Sequence, residues 1–482
     1  MKETYSPELD RRRFLALGGA ATAGALLGGP AYAWPGKKEP PQRLAIRAPR
    51  CAKVALVFTH IPTGRPTWPT MNYDYDARRK ELGAKLRAAC PGTEFTRDFV
   101  ANKADDADAI IKQNPDVDGF VVYLIGIWTH AADRIMRGGK PTVVIDDLYA
   151  GSGELLGPGP AIRKEKLAAA LVASSNFEDV TRGVRLLEVI AAMKGAKIIN
   201  VKNGSIGGAA KNVAGVFGAT MVQMDSDELN RRYDAADDKL ARAWADYWMG
   251  GAKSVVEAKR EDIVKAGKMH VAFAKAVEEK GADAVTMDCL GLYYSRKSNA
   301  YPCLSFFEML NQGMSGICEA DVDSTVTAML IRYFNNRPGF VSDPVIDTAT
   351  GEIIYAHCVA SNRVYGPQGK ANPYVLRTHA EDRKGVSLQS LMPLGEPVTT
   401  LKVALGDRTM VIHTGTASRN VTELHKACRT KLAAKSDAQA LLRNWTRGWH
   451  RVTVYGDCRN DFINLAQLCG LSVIEEDKPL AV

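Results

Sequence analysis

The sequence lacks the short motifs that announce a chemistry by themselves. No C-x-x-C pair, H-E-x-x-H or G-x-S-x-G occurs in its 482 residues, which excludes a paired-cysteine zinc site, a zincin helix and a nucleophile elbow. The glycine-rich stretch Gly204-Ser205-Ile206-Gly207-Gly208 matches neither G-x-G-x-x-G nor a Walker loop, so it reads as a tight turn and not a nucleotide cradle. Nine cysteines, an odd number thinly spread, exclude a disulfide framework and read as small buried hydrophobes. No stripe of basic residues with interleaved aromatics accompanies the net charge of +9, so nucleic acid is not an expected partner. The longest mild apolar run, Ala16 to Gly29, is diluted by glycines and falls short of the roughly 20 apolar residues of a membrane span.

That run belongs to a recognisable leader. Arg11-Arg12-Arg13-Phe14-Leu15 precedes it and Ala31-Tyr32-Ala33 follows. This order is that of a twin-arginine export signal with a small-x-small cleavage site after Ala33. The expected partner is therefore the twin-arginine export machinery, and the expected destination is the periplasm or the extracellular space. Such a substrate folds before export, so free thiols and a metal loaded in the cytoplasm are both compatible with the signal.

With 46% hydrophobic and 24% charged residues, the chain can bury large cores. After a proline-rich joint (Pro35 to Pro41), apolar runs at Lys53–Phe58, Gly119–Leu124 and Pro141–Ile145 alternate with amphipathic stretches such as Tyr75–Ala89. That alternation predicts parallel sheets built from βαβ units. Gly151–Pro160 reads as a loop. A second unit follows: strands at Lys197–Val201, Thr220–Met224 and Ala284–Met287, and helices at Pro302–Gln312 and Asp323–Asn335. Beyond Asn336, strand-like runs (Ile353–Ala356, Leu401–Leu405, Thr409–His413, Val452–Tyr455) dominate, with a closing helix at Asp461–Cys469. The expected fold is α/β: two parallel-sheet, Rossmann-like domains (34–167 and 168–335) after the signal peptide (1–33), then a largely β domain (336–482).

The densest chemistry lies at Cys318-Glu319-Ala320-Asp321-Val322-Asp323, three carboxylates in five residues between two apolar helices. Alone, such a run is a charged helix start, where acids suit the macrodipole. In the wider pattern it resembles the L-fucose isomerase and L-arabinose isomerase superfamily. Glu319-Ala320-Asp321 resembles that family's Glu-x-Asp segment, and Asp343 in Phe340-Val341-Ser342-Asp343 falls at the family's separation from it. Asn444-Trp445, His450, Thr453 and Asp461-Phe462 follow its Asn-Trp…His…Thr…Asp-Phe order. Met224-Asp225-Ser226 with Arg231-Arg232 resembles a further stretch of it.

The resemblance implies Glu319, Asp343 and His450 as ligands of Mn²⁺ or another divalent ion, with Glu319 and Asp343 also the catalytic acid–base pair. Two carboxylates and one imidazole suit such an ion. It further implies Trp128, Arg65, Asn444 and Trp445 as sugar contacts, Asp321 as a supporting group, His357 as a supporting group or an extra ligand, and a homo-oligomer, trimer or hexamer; Trp449 is a candidate to stack on a sugar ring, and His379, in Arg377-Thr378-His379-Ala380-Glu381, a candidate to border the pocket. The chain departs from the family at Trp449, where an Asn precedes the ligand His, and in the shorter Met287-Asp288-Cys289 passage. Three activities follow as expectations: an aldose–ketose isomerase working through an ene-diol proton shuttle, a secreted glycoside hydrolase or lyase on the same fold and metal, and a non-catalytic sugar-binding protein. The small-molecule partner in each is a sugar or glycan.

The leader is tested directly by changing Arg11 and Arg12 to Lys. This keeps the charge and removes the planar guanidinium fork. The expected outcome is precursor accumulating in the cytoplasm; normal processing and export of the Lys-Lys variant would overturn the assignment.

Overall fold

The segment AKVALVFT at Ala52–Thr59 (β1) is buried along nearly its whole length. Its residues alternate between two cores: Val54, Leu56 and Phe58 face one, Ala55 and Val57 the other. A strand buried on both faces is the signature of a parallel sheet covered by helices on each side. The computed structural model, which describes residues 39–64, 67–422 and 426–479, shows that sheet. The predicted leader and Arg65 lie outside the described residues.

With β1, strands β2 (Thr93–Ala101), β3 (Gly119–Leu124), β4 (Thr142–Asp146) and β5 (Ala169–Val172) form a five-stranded sheet in the order β2-β1-β3-β4-β5, parallel throughout. A second parallel sheet follows. Its strands are β6 (Lys197–Val201), β7 (Thr220–Met224), β9 (Ala284–Met287) and β10 (Ser315–Cys318), ordered β10-β9-β6-β7. The two-residue β8 (Ser254–Val255) pairs instead with β13 (Tyr374–Arg377), which also pairs with β14 (Ser387–Ser390). Residues from Pro40 onward make one compact unit.

The stretch Gly151–Pro160 corrects the sequence expectation. It is not an open loop: helices Ser152–Leu156 and Gly159–Glu165 occupy it. Pro160 sits in the first turn of the second helix, where its missing N–H costs nothing. Gly151 begins the first because a Cβ there would lie 2.2 Å from Leu124 Cβ.

The β region closes on itself. Strands β11 (Phe340–Asp347), β12 (Glu352–His357), β15 (Pro397–Ala404), β16 (Thr409–Asn420), β17 (Thr430–Lys435) and β18 (Arg451–Tyr455) run in the order β15-β18-β11-β12-β17-β16. β16 pairs back onto β15, and every pairing in the ring is antiparallel. The result is a six-stranded barrel, with β19 (Ser472–Glu475) added in parallel to β16. One barrel face packs Val341, Leu401, Val403, Met410, Ile412 and Val452 into the core shared with helix Val322–Asn335.

The opposite face carries Phe340, Ile353, Tyr355, Leu432 and Tyr455 in a separate core, and with it a buried polar network. Arg451 and Glu476, both fully buried, pair at 2.6 Å. His413 Nδ1 lies 3.1 Å from Glu476 Oε2, and its Nε2 is 2.9 Å from the Tyr355 hydroxyl. The Thr400 hydroxyl donates to Tyr355 at 2.9 Å. Burial pushes the Glu476 carboxyl up, but the hydrogen bonds from His413 and Arg451 outweigh it and hold the group below its ordinary range.

Removing one member leaves the other charge buried and unpaired, at a cost of about 3–5 kcal/mol. Glu476→Leu should therefore shift the urea midpoint strongly downward. Adding Arg451→Met should recover part of that loss, because two apolar groups need no partner. Equal midpoints for the Glu476→Leu protein and the wild type would show that the pair contributes nothing.

Candidate functional site

Glu319 and Ala320 follow β10 directly and adopt φ values of +64° and +52°. Two successive non-glycine residues in the left-handed region cost about 1–3 kcal/mol each and persist only where their surroundings over-determine them. Here the surroundings do. The Ala320 N–H donates to the Met287 carbonyl at the end of β9, 2.8 Å away. Asp321 then caps helix Val322–Asn335, accepting from the Ser324 N–H at 3.0 Å and the Ser324 hydroxyl at 2.6 Å. Gly316 lets β10 approach helix Cys303–Gln312, since a Cβ there would meet Phe306 Cα at 2.8 Å. The turn thus throws the Glu319 side chain beyond the carboxyl end of a parallel sheet, the usual ligand edge of such sheets.

The barrel supplies the other groups. His450 immediately precedes β18, Asp343 lies on β11 and His357 ends β12. His450 Nδ1 contacts Asp321 Oδ2 at 2.7 Å. Its Nε2 lies 2.9 Å from Asp343 Oδ1 and 3.5 Å from Glu319 Oε2. His357 Nε2 faces Glu319 Oε1 at 3.7 Å. The donor atoms of Glu319, His357 and His450 all lie within 4.8 Å of one another, close enough for one metal ion.

Charge in the cluster is mutually held. Burial opposes a charged imidazole at His450, but hydrogen bonds to Asp321 and Asp343 push its pKa up to about 10. Burial likewise opposes the Asp343 carboxylate, and the His450 hydrogen bond and the His357 ring hold it below its ordinary range. Asp321 is lowered against burial by His450, Lys402 and Ser324. At His357, Nδ1 accepts from the Val359 N–H at 3.3 Å, which places the ring hydrogen of the neutral form on Nε2, toward Glu319.

The loop that carries His450 is fixed from below. Arg451 donates to the carbonyls of Thr446 (2.6 Å), Gly448 (3.1 Å) and His450 (2.9 Å). Its guanidinium also stacks 3.9 Å from the centre of the Trp445 ring. The buried Glu476 anchor therefore reaches the site through one arginine.

The remaining sequence candidates scatter. Trp449 is 65% exposed beside His450, with ring centres 6.1 Å apart. Asn444 donates to the carbonyls of Glu476 and Lys478 at 2.9 and 2.8 Å, closing the C-terminal segment. Trp445 packs against the barrel core below the loop. His379 stacks on Tyr301 at 4.3 Å and reaches Cys358. Trp128 is 68% exposed at the carboxyl end of β3, in the first sheet, and takes no part in the bonds of the cluster. Asp225 caps helix Ser226–Asp234 and lines a separate polar cavity of about 350 Å³ with Asn203, Asn230 and Arg296. The Arg451–Glu476 support was invisible in sequence, because a buried ion pair has no local pattern.

Asp321 holds two roles that substitution separates. Asp321→Asn keeps a good helix cap, whereas Asp321→Ala loses it at about 1 kcal/mol. Both remove the carboxylate behind His450, and such partners are worth about 10–100-fold in metal affinity. Titration with Mn²⁺ should show weak binding in both variants, and thermal unfolding should show destabilisation mainly in Asp321→Ala. Wild-type Mn²⁺ affinity in the Asn variant would show that Asp321 serves the helix alone.

No family model matches the chain. It is similar to sulfoquinovose isomerases of Priestia aryabhattai and Priestia megaterium (strain ATCC 12872 / QMB1551), each 24% identical over 314 residues that cover 60% of this chain and 67% of the relative. The chain is thus distantly similar to sugar isomerases over part of its length.

Proposed function

We propose that the protein is an exported, divalent-metal-dependent aldose–ketose isomerase. The observation that carries this reading is the convergence of two carboxylates, Glu319 and Asp343, on two imidazoles, His450 and His357, beside a strained turn. The similarity to sugar isomerases supports it. The donor set fits the proposed metal: carboxylate oxygens with imidazole suit Mn²⁺ or a similar divalent ion, and Asp321 behind His450 fixes the ring as ligand-supporting carboxylates do. Glu319, Asp343 and His450 would hold the ion, which when bound supplies a Lewis acid for the sugar carbonyl.

The protein's own groups do the rest. In this reading Asp343 and Glu319, both on His450, are the acid–base pair: one carboxylate removes a proton from C2 of the open-chain sugar and returns one to C1 through an ene-diol. His357, with its hydrogen on Nε2, steadies Glu319 as an acceptor. The exposed Trp449 rim offers an apolar ring face to the sugar. In this reading the chain assembles as a trimer or hexamer, with Trp128 and Arg65 as further sugar contacts, and works in the periplasm or outside the cell after passage through the twin-arginine machinery.

Incubation of the metal-loaded protein with a panel of aldoses in D₂O tests the reaction. Isomerisation with deuterium at the carbon that gains the proton is the expected outcome. Asp343→Asn should abolish turnover, since an amide cannot accept the proton, and the Glu319→Ala, His450→Ala double variant should lose Mn²⁺ by elemental analysis. Release of free sugar from a glycoside, with no isomerisation of any monosaccharide, would overturn the reading in favour of a hydrolase.

A further inference from the structure

Arg429 is a buried cation that its surroundings leave short of partners. It is 8% exposed, and its guanidinium donates only to Thr378, to the carbonyl at 2.8 Å and the hydroxyl at 3.0 Å. Among the described residues no carboxylate pairs with it. Glu257, the acid that the Thr378 N–H reaches at 3.4 Å, is already held by Arg377 through Nε and Nη2. Burial, and then the like charge of Arg377, draws the Arg429 pKa below its ordinary value. A buried charge without a counter-charge is costly, and most of the planar fork of N–H donors stays unfilled.

This residue sits beside the metal-type cluster. Cys428, on one side of it, donates to Asp343 Oδ2 at 3.7 Å. Thr430, on the other, lies opposite His357 in the antiparallel β12–β17 ladder. The same ladder and its neighbour set Asp343, Ala356 and Lys431 in one row across β11, β12 and β17, so their side chains share a face. With the small Ala356 between them, the backbones of Asp343 and Lys431 are roughly 10 Å apart at the usual strand spacing. Continuing the register puts Arg429 opposite Cys358, one step outward from Lys431 on that face. The junction therefore has an acidic end at Asp343 and a basic end at Lys431 and Arg429. Cys428 is partly exposed, so a solute can reach this edge.

We propose that the sugar bound at this site carries an oxyanion at the end remote from its carbonyl, a carboxylate, phosphate or sulfonate, and that the Arg429 guanidinium binds it. The carbonyl end lies toward Glu319, Asp343 and His450, and the anion toward the unfilled donors of Arg429. A planar fork engages two oxygens of such a group at once, whereas a neutral hydroxyl end leaves the buried charge uncompensated. Lys431 adds to the positive field at that end. The inference rests on the proposed sugar reading and narrows its substrate class.

Hexitols test it, because they lack a carbonyl and cannot turn over. The full chain loaded with Mn²⁺ is titrated by calorimetry with a panel of hexitols, each paired with counterparts that bear a phosphate, a sulfonate or a carboxylate at the terminal carbon. At least one charged member should bind roughly 10–100-fold tighter than its neutral partner, the size of a charge-assisted hydrogen bond. Arg429→Gln should bring that ratio toward one, and Arg429→Lys should keep part of it. Thermal unfolding monitors the fold; if the Gln variant does not fold, the graded loss in the Lys variant decides. Equal binding within every pair, or no binding of any charged hexitol, overturns the substrate class. A wild-type ratio in a folded Arg429→Gln protein overturns the assignment of the anion to Arg429. Absence of isomerisation in D₂O with the hexitol ratio intact sinks the proposed reaction and supports the anion site. Turnover of neutral aldoses with no gain from the charge does the reverse.

Discussion

A single imidazole ties the two kinds of architecture in this chain together. His450 contacts Asp321 through Nδ1 and Asp343 through Nε2. Asp321 belongs to the turn after a parallel sheet and caps the helix that follows, while Asp343 is part of the antiparallel barrel. The two carboxylates would repel each other across a partly dry space. A cation between them removes that repulsion, and in the structure the charged His450 ring serves as that cation. The cluster therefore depends on the barrel and the sheet being docked in one register, and it helps hold that docking.

The rest of the local design serves this contact. The left-handed turn at Glu319–Ala320 is unfavourable alone, yet it is gripped by Met287 on one side and the capped helix on the other. Arg451 spends its donors on three carbonyls of the approach to His450, so the loop cannot relax without leaving a buried guanidinium unsatisfied. Glu476, fully buried beneath it, makes that cost steep. A buried ion pair is weak evidence for net stability, and its value here lies in holding one loop conformation. Rigid support of this kind is what keeps ligand-type side chains within a narrow geometry.

Much of the α/β scaffold was legible because a strand in a doubly covered parallel sheet is an apolar run that stands out from its flanks. Gly119–Leu124, Lys197–Val201 and Thr220–Met224 match strands of the structure to the residue. Strand β2, by contrast, reads TEFTRDFVA and is exposed along much of its length. It lies at the sheet edge, where polar side chains are tolerated and the apolar signal fades. Barrel closure escaped for a different reason: β15 and β16 are neighbours in sequence, but β18 reaches β11 across a hundred residues, and no local pattern encodes that pairing. Asp343, Glu319 and His450 could be picked out by type and order, and the structure brings them together. His357 could be named beside them, but its 3.7 Å approach to Glu319 could not be read, since it depends on how the end of β12 meets the turn after β10.

The placement of the thiols follows from the same geometry. The carboxyl ends of β9 and β10 and the end of β12 converge on one small volume, and small side chains are needed wherever backbones crowd. Cysteine fills such a space with little volume and a polarisable surface. The crowding that allows Glu319 and His357 to face each other thus also gathers small cysteine side chains into the core beside them. Replacing the sulfurs with larger groups would push on Glu319, His357 and Asp343 from below, and removing them would leave voids against the strained turn. Ligand geometry and thiol packing are therefore one constraint, imposed by the narrow junction between sheet and barrel.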